Sequence, residues 1–241
     1  MRYLLGILSI LIAASCLGPS SVQAQDYAAI VASPDRSDAD RNNDKKRKPE
    51  QLLAFTGVKT GMKVMDIVSS AGYSAELLAR SVGPSGTVYA VNSQETADRV
   101  KDRFEPRLSK VKSLVPVLRN YDDPIPSEVN NLDLVTIYFS YHDLAHMGVD
   151  RAAMNKKVFA ALKPGGYFVV ADHSAKAGGG LNVAKTLHRI EEKTLRQEVE
   201  AAGFKLVAEG DFLRNPEDTR DTNVNQSKLP NDEFVLKFQK P

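Results

Sequence analysis

GMKVMDIVSSAGYSAELLAR, residues 61–80, decides how this chain is read. The apolar run up to Val68, broken by Asp66, has the length and composition of a buried strand that starts near Lys59. Small residues and Gly72 follow, then SAELLAR, which is rich in helix formers. A strand, a tight turn and a helix in this order can cradle a nucleotide-like ligand at the turn. Such turns favour glycine because it tolerates positive φ and lets the backbone approach a ligand. Here Gly72 stands alone, with Val68, Ser69, Ser70 and Ala71 before it. A non-glycine residue held in the left-handed region costs about 1–2 kcal/mol, so such a turn would be weakened rather than abolished.

The alternation continues outward from this stretch. TVYAVN (87–92) predicts a strand, and SQETADRVKDRF a helix capped by Ser93. KSLVPVL is a strand whose Pro116 places it at an edge. NLDLVTIYFSY (131–141) is a strand; VDRAAMNKKVFAAL is a helix stopped by KPGG (163–166). YFVVAD, FKLVAEGDFL and DEFVLKFQ (232–239) are strands, with the helix EEKTLRQEVEAAG between the first two. Strands separated by helices imply right-handed crossovers and a largely parallel sheet covered on both faces, an α/β fold of Rossmann-like type. The last two strands have no helix between them, so they pair antiparallel. No internal repeat and no second domain is visible. Ahead of the domain at 59–241, residues 25–58 form a polar and helical extension in which PEQLLAF (49–55) is a short helix and DKKRK (44–48) a solvated face.

The 241 residues are 42% hydrophobic, enough for one substantial core. Lys plus Arg number 32 against 30 for Asp plus Glu, a balance that argues against nucleic acid as partner and for a small molecule. Residues 1–24 pair one Arg with an apolar segment and small residues before Gln25, the pattern of a secretory signal; export, with a periplasmic destination, and no membrane span in the mature chain are expected. The only cysteine, Cys16, lies in that segment, where AASC offers an alternative lipid-attachment site.

In an open parallel sheet ligands bind beyond the carboxyl ends of the strands. Those positions hold Ser69, Ser70, Ala71 and Gly72, then Asn92, then Tyr121, Asp122 and Asp123. Tyr141, His142, Asp143 and His146 follow the fourth strand, and Asp172 and His173 the fifth. His188 and Arg189 lie in LHRI, before the next helix. Histidine titrates near neutrality, so the gathering of all four histidines of the chain in these loops points to chemistry.

Together GMKVMDIVSSAGYSAELLA, GTVYAVN, LDLVTIYFSYHDL and LKPGGYFVVADHSA resemble a class I S-adenosylmethionine-dependent methyltransferase. With RKPEQLLAF, LHRI and FLRNP they are similar to a group of exported bacterial proteins described as predicted methyltransferases. The resemblance implies seven strands in the order 3-2-1-4-5-7-6, the last antiparallel, and S-adenosylmethionine as cofactor. The family turn is written DxGxGxG; here Asp66 and Gly72 match while Val68 and Ser70 depart. Asp66, Ser69, Ser70, Ala71, Gly72 and Tyr141 become cofactor contacts by that resemblance, and Asn92 takes the place of the acid that binds the ribose hydroxyls. Asp122 or Asp123 would meet the adenine. His142 is the first candidate for a base and His173 the second, oriented by Asp143 or Asp172; His188 and Arg189 would face the substrate.

Two other readings stand beside this one. A non-catalytic binding protein would explain the altered turn, since fold does not fix function. HDLAH (142–146) resembles a metallohydrolase motif with Asp in place of Glu, but it runs directly on from a strand, so no metal site is assigned. A looser convergence of His142, His173 and His188 with a carboxylate stays open.

Overall fold

The computed structural model describes residues 25–241; the expected signal sequence, with Cys16, lies outside the described residues. Three helices lead in: α1 (Tyr27–Val31), α2 (Asp38–Arg47) and α3 (Pro49–Thr56). Then come β1 (Lys63–Ile67), α4 (Tyr73–Val82), β2 (Thr87–Asn92), α5 (Gln94–Lys110), β3 (Leu114–Leu118) and β4 (Leu132–Tyr138). They are followed by α6 (Tyr141–His146), α7 (Arg151–Ala161), β5 (Leu162–His173), α8 (Ala184–Leu187), α9 (Glu192–Glu200), β6 (Lys205–Gly210) and β7 (Glu233–Gln239).

The strands form a seven-stranded sheet in the order β3-β2-β1-β4-β5-β7-β6. Neighbours pair in parallel up to β5, and β7 runs antiparallel to both β5 and β6. This is the expected order, and Pro116 sits on the outer strand β3. Side-chain alternation along each strand feeds two cores. Met65, Ile67, Val135, Ile137, Phe168 and Leu236 pack with Val158, Leu195 and Val199 of α7 and α9. On the other face Val64, Val88, Leu134, Val169 and Val235 pack with Leu77 and Leu78 of α4, Val100 of α5 and Leu52 and Leu53 of α3. Central strands buried on both faces explain why β1 and β4 read as nearly continuous apolar runs.

The structure departs from the sequence reading in two segments. The fourth strand stops at Tyr138, because Phe139 turns to φ 56, and residues 141–146 form α6 instead of extending the strand. The charged run 44–48 is more than a solvated face. It ends α2, which Ser37 caps and whose acids and bases sit at the dipole-favoured ends. Lys45 and Lys46 are exposed, but Asp40 is buried against Arg107 of α5, with Nη1 2.7 Å from Oδ2. Asp44 accepts from Arg36 at 2.8 Å and from the Tyr73 hydroxyl at 2.7 Å. Arg107 also pairs with Glu76, so α2, α4 and α5 are tied together around one guanidinium. Among the described residues no helix is long and apolar enough to cross a membrane.

Arg189 is a third departure, since it was expected to face substrate. It is fully buried, its guanidinium 2.8 Å from Asp218 and donating to the carbonyls of Ser174 and Thr222, both at 3.1 Å. All of these donors point inward and pin the long connection between β6 and β7. Removing one partner of a buried ion pair leaves an uncompensated charge; Arg189→Ala is expected to lower unfolding free energy by about 3–5 kcal/mol in urea titration. Gly72 has φ 82, and a Cβ there would lie 2.9 Å from both Phe104 Cδ2 and Arg107 Cδ. Gly72→Ala therefore combines backbone strain with overpacking, and a loss of about 1–3 kcal/mol is expected in the same measurement.

Candidate functional site

The turn after β1 keeps a glycine-type shape with few glycines. Val68 has φ 58, Ser70 φ 49 and Gly72 φ 82, so all three positions are left-handed. For Val68 and Ser70 this conformation is unfavourable on its own. Surrounding hydrogen bonds hold it. Ser70 N donates to Asn92 Oδ1 at 2.8 Å, and Asn92 Nδ2 donates to the Ser70 carbonyl at 3.0 Å. Ser69 N reaches the Val91 carbonyl at 3.1 Å, Ser69 Oγ the Asp66 carbonyl at 2.7 Å, and Arg107 Nε the Ala71 carbonyl at 2.7 Å. Asn92 is thus directed to the turn rather than to a ribose. A carboxylate at this position could accept from Ser70 N but could not donate to its carbonyl.

Asp66, next to last in β1, lies beneath this turn, 1% exposed. Its Oδ1 accepts from Thr136 Oγ1 at 2.6 Å, whereas Oδ2 is buried without a hydrogen-bond partner. Burial raises its pKa to about 6, against the lowering effect of the Thr136 and Ser69 hydroxyls. The Tyr138 hydroxyl is also buried and unpartnered, and burial together with the Asp66 charge pushes its pKa up. Two buried polar groups without partners thus stand near the ends of the adjacent strands β1 and β4, where polar groups are ordinarily paired. Thr136 and Tyr138 escaped the sequence reading because they belong to β4 itself, Tyr138 as its last residue, rather than to the loop after it.

Most of the histidines converge at the ends of β4 and β5. His142, 2% exposed, presents Nδ1 to Asp172 Oδ1 at 2.6 Å; the other Asp172 oxygen accepts from the His142 amide at 2.8 Å. His142 Nε2 lies 3.0 Å from Asp143 Oδ1 and 3.4 Å from His188 Nδ1. His188 Nδ1 is 3.1 Å from the same Asp143 oxygen, and His146 Nε2 3.8 Å from it. Burial alone would lower the His142 pKa, but Asp172 and Asp143 outweigh it and hold it up at about 10. Held between two carboxylates, the imidazole favours its protonated form, so Nε2 can accept a proton only after it has given up its own.

His173 turns to another partner, with Nδ1 3.0 Å from Glu233 Oε1. Arg47 joins that pair, its Nη1 3.1 Å from Glu233 Oε1 and its guanidinium 3.5 Å from the Phe139 ring centre. The sequence reading missed Arg47 and Glu233; their meeting across 186 positions leaves no local signal. Tyr141 corrects another expectation. Its hydroxyl bonds Glu198 at 2.9 Å and accepts from Asn155 Nδ2 at 2.8 Å, deep among α7 and α9 and away from the turn. Asp123 pairs with Arg119 and Lys157, and Asp122 is exposed. A hollow of about 350 Å³ lies between α5 and the β2–β3 edge; Asn92 and Phe104 line it, and no histidine does.

Comparison with known proteins supports the fold. The ubiquinone/menaquinone biosynthesis C-methyltransferase UbiE of Cupriavidus necator is 33% identical over 122 residues, 51% of this chain and 47% of that protein. Its counterpart in Burkholderia multivorans is 28% identical over 182 residues, 73% of this chain and 71% of that one. This chain thus spans about half the length of the Cupriavidus relative. Among solved structures, an S-adenosylmethionine-dependent methyltransferase from Aquifex aeolicus has a TM-score of 0.62 at 19% identity, covering 90% of this chain and 99% of its own. Aeropyrum pernix fibrillarin, solved with S-adenosylmethionine bound, has a TM-score of 0.53 at 16% identity, covering 75% of this chain and 67% of its own. A family model described as the ubiE/COQ5 methyltransferase family matches residues 43–191, more than half of the sequence, and the chain belongs to that family.

Proposed function

We propose that this chain is an S-adenosylmethionine-dependent methyltransferase acting on a small organic molecule. The observation that carries the reading is the buried Asp66 carboxylate, with one oxygen unpartnered beneath a left-handed turn. An anion buried without a paired cation is unstable alone, and a ligand that brings a positive ammonium or sulfonium group relieves it. The turn and Asp66 suit the amino-acid end of the cofactor; the ribose hydroxyls must find acceptors other than Asn92, which is committed to Ser70. The cofactor would supply the activated methyl group. The chain's own part is to hold it in line with the acceptor, which makes positioning a large share of the rate. The names of the relatives favour a carbon atom of an intermediate in ubiquinone or menaquinone biosynthesis as the acceptor, and the near-neutral charge balance disfavours nucleic acid.

Asp66 makes this reading measurable through pH. Its pKa rises from 3.8 to about 6, so the ligand-free folded chain keeps a proton that the unfolded chain has released. Stability is present at low pH and falls by about 3 kcal/mol as pH rises from about 4 to about 6. Binding of a cationic cofactor runs the other way, because it needs the ionised carboxylate. Calorimetric titration with S-adenosylmethionine is expected to give about tenfold tighter binding at about pH 8 than at about pH 5, and Asp66→Asn to weaken binding and flatten both pH dependences. Folded protein that takes up no S-adenosylmethionine or S-adenosylhomocysteine at millimolar concentration would sink the proposal.

A further inference from the structure

The reading above leaves the polar cluster of α6 and α8 unused as a set. His142 Nε2, Asp143 Oδ1 and His188 Nδ1 stand 3.0, 3.1 and 3.4 Å from one another, each aimed at the same small space. They come from two consecutive residues at the start of α6 and from the residue that closes α8, so two separate segments supply them. Ligand bonds of about 2.0–2.2 Å put neighbouring donor atoms about 3.3–3.6 Å apart in a tetrahedron and about 2.8–3.1 Å apart at right angles. The observed triangle falls across these ranges.

An outer partner is already in place. Asp172, fully buried, takes the Nδ1 hydrogen of His142 at 2.6 Å and is itself held by the amides of His142 and His173, both at 2.8 Å. Asp172 thus keeps the Nδ1 proton, so that a metal displacing the proton on Nε2 finds that lone pair aimed at it, the carboxylate–histidine arrangement that orients a metal-bound imidazole. In the metal-free chain a proton on Nε2 bridges to the Asp143 oxygen 3.0 Å away. One proton serves one pair of atoms, whereas a metal ion meets all three. His188 is held at φ 53, a conformation rare for a non-glycine residue, and this turns its ring toward the pair.

We propose that His142, Asp143 and His188 bind a divalent transition metal of zinc type, with Asp172 as the outer partner of His142. The donor set selects the ion: two imidazoles and one carboxylate suit zinc-class ions, while magnesium and calcium require mostly oxygen. Access comes from one side, where the side chains of Asp143 and His188 are 31% and 30% exposed against 2% for His142. The exposed His146, one helical turn after His142 on α6, borders that side. The site leaves a coordination position for a further ligand, and its occupancy does not depend on whether the chain transfers methyl groups.

The test uses the full chain, freed of metal by chelator and dialysis, and titrates it with zinc by calorimetry and with cobalt by visible absorption. One equivalent of zinc is expected, a cobalt spectrum of low-coordinate type, and no heat from magnesium or calcium at millimolar concentration. His188→Gln and Asp143→Asn, both partly exposed, are expected to weaken zinc binding more than about 100-fold, and Asp172→Asn about 10- to 100-fold, with folding checked by circular dichroism. Zinc affinity unchanged in folded His188→Gln and Asp143→Asn would overturn the proposal. If a variant does not fold, the wild-type titration decides alone: less than about half an equivalent bound at about 100 µM zinc would equally overturn it.

Discussion

Asn92 and Ser70 exchange two hydrogen bonds, and the shape of the turn above Asp66 depends on that exchange. A valine and a serine in left-handed backbone cost about 1–2 kcal/mol each when nothing opposes them. The turn persists because its surroundings over-determine it: Asn92 grips Ser70 from both sides, Val91 holds the Ser69 amide, and Arg107 holds the Ala71 carbonyl. Only a side chain with both a donor and an acceptor can do what Asn92 does. The scarcity of glycine in the turn and the amide at position 92 are therefore coupled features. A side chain, rather than backbone freedom, shapes this turn.

The helices ahead of the sheet serve the same end. Arg107, which touches the turn, is oriented by Asp40 from α2 and Glu76 from α4. Tyr73, the first residue of α4, is fastened to Asp44. Arg47, the last residue of α2, reaches Phe139 and Glu233 at the ends of β4 and β7. Pairs of this kind, partly shielded from water, give direction more than net stability, because desolvation offsets much of the attraction. Their effect is to set α2 across the rim where the strands end.

The sheet was legible because its determinants are local. Apolar runs, the KPGG stop after α7 and Pro116 on an outer strand each carry their meaning in a few adjacent residues. The site was legible in part. The turn and the histidine-rich loops were found from their places after strands and Asp66 from the family resemblance, and His142, Asp143, Asp172 and His188 do meet. What escaped depends on torsion or distance. Phe139 breaks its strand at positive φ with neither Gly nor Pro to announce it, so Tyr141 was carried onto a strand end when it belongs to a helix facing α9. Arg189 looked available for an anion, yet its partner Asp218 lies 29 positions on, in a loop whose composition says nothing of pairing.

The two outer strands carry one more consequence. On β3, Pro116 removes a backbone donor at the middle of the strand. On β6, the pairing slips between Leu206 and Ala208, and Val207 is left 49% exposed at that irregularity. A strand added from another chain needs an unbroken row of donors and acceptors, and neither margin offers one. The sheet can therefore expose apolar side chains such as Leu118 on its rim without inviting growth into a continuous ribbon of stacked copies.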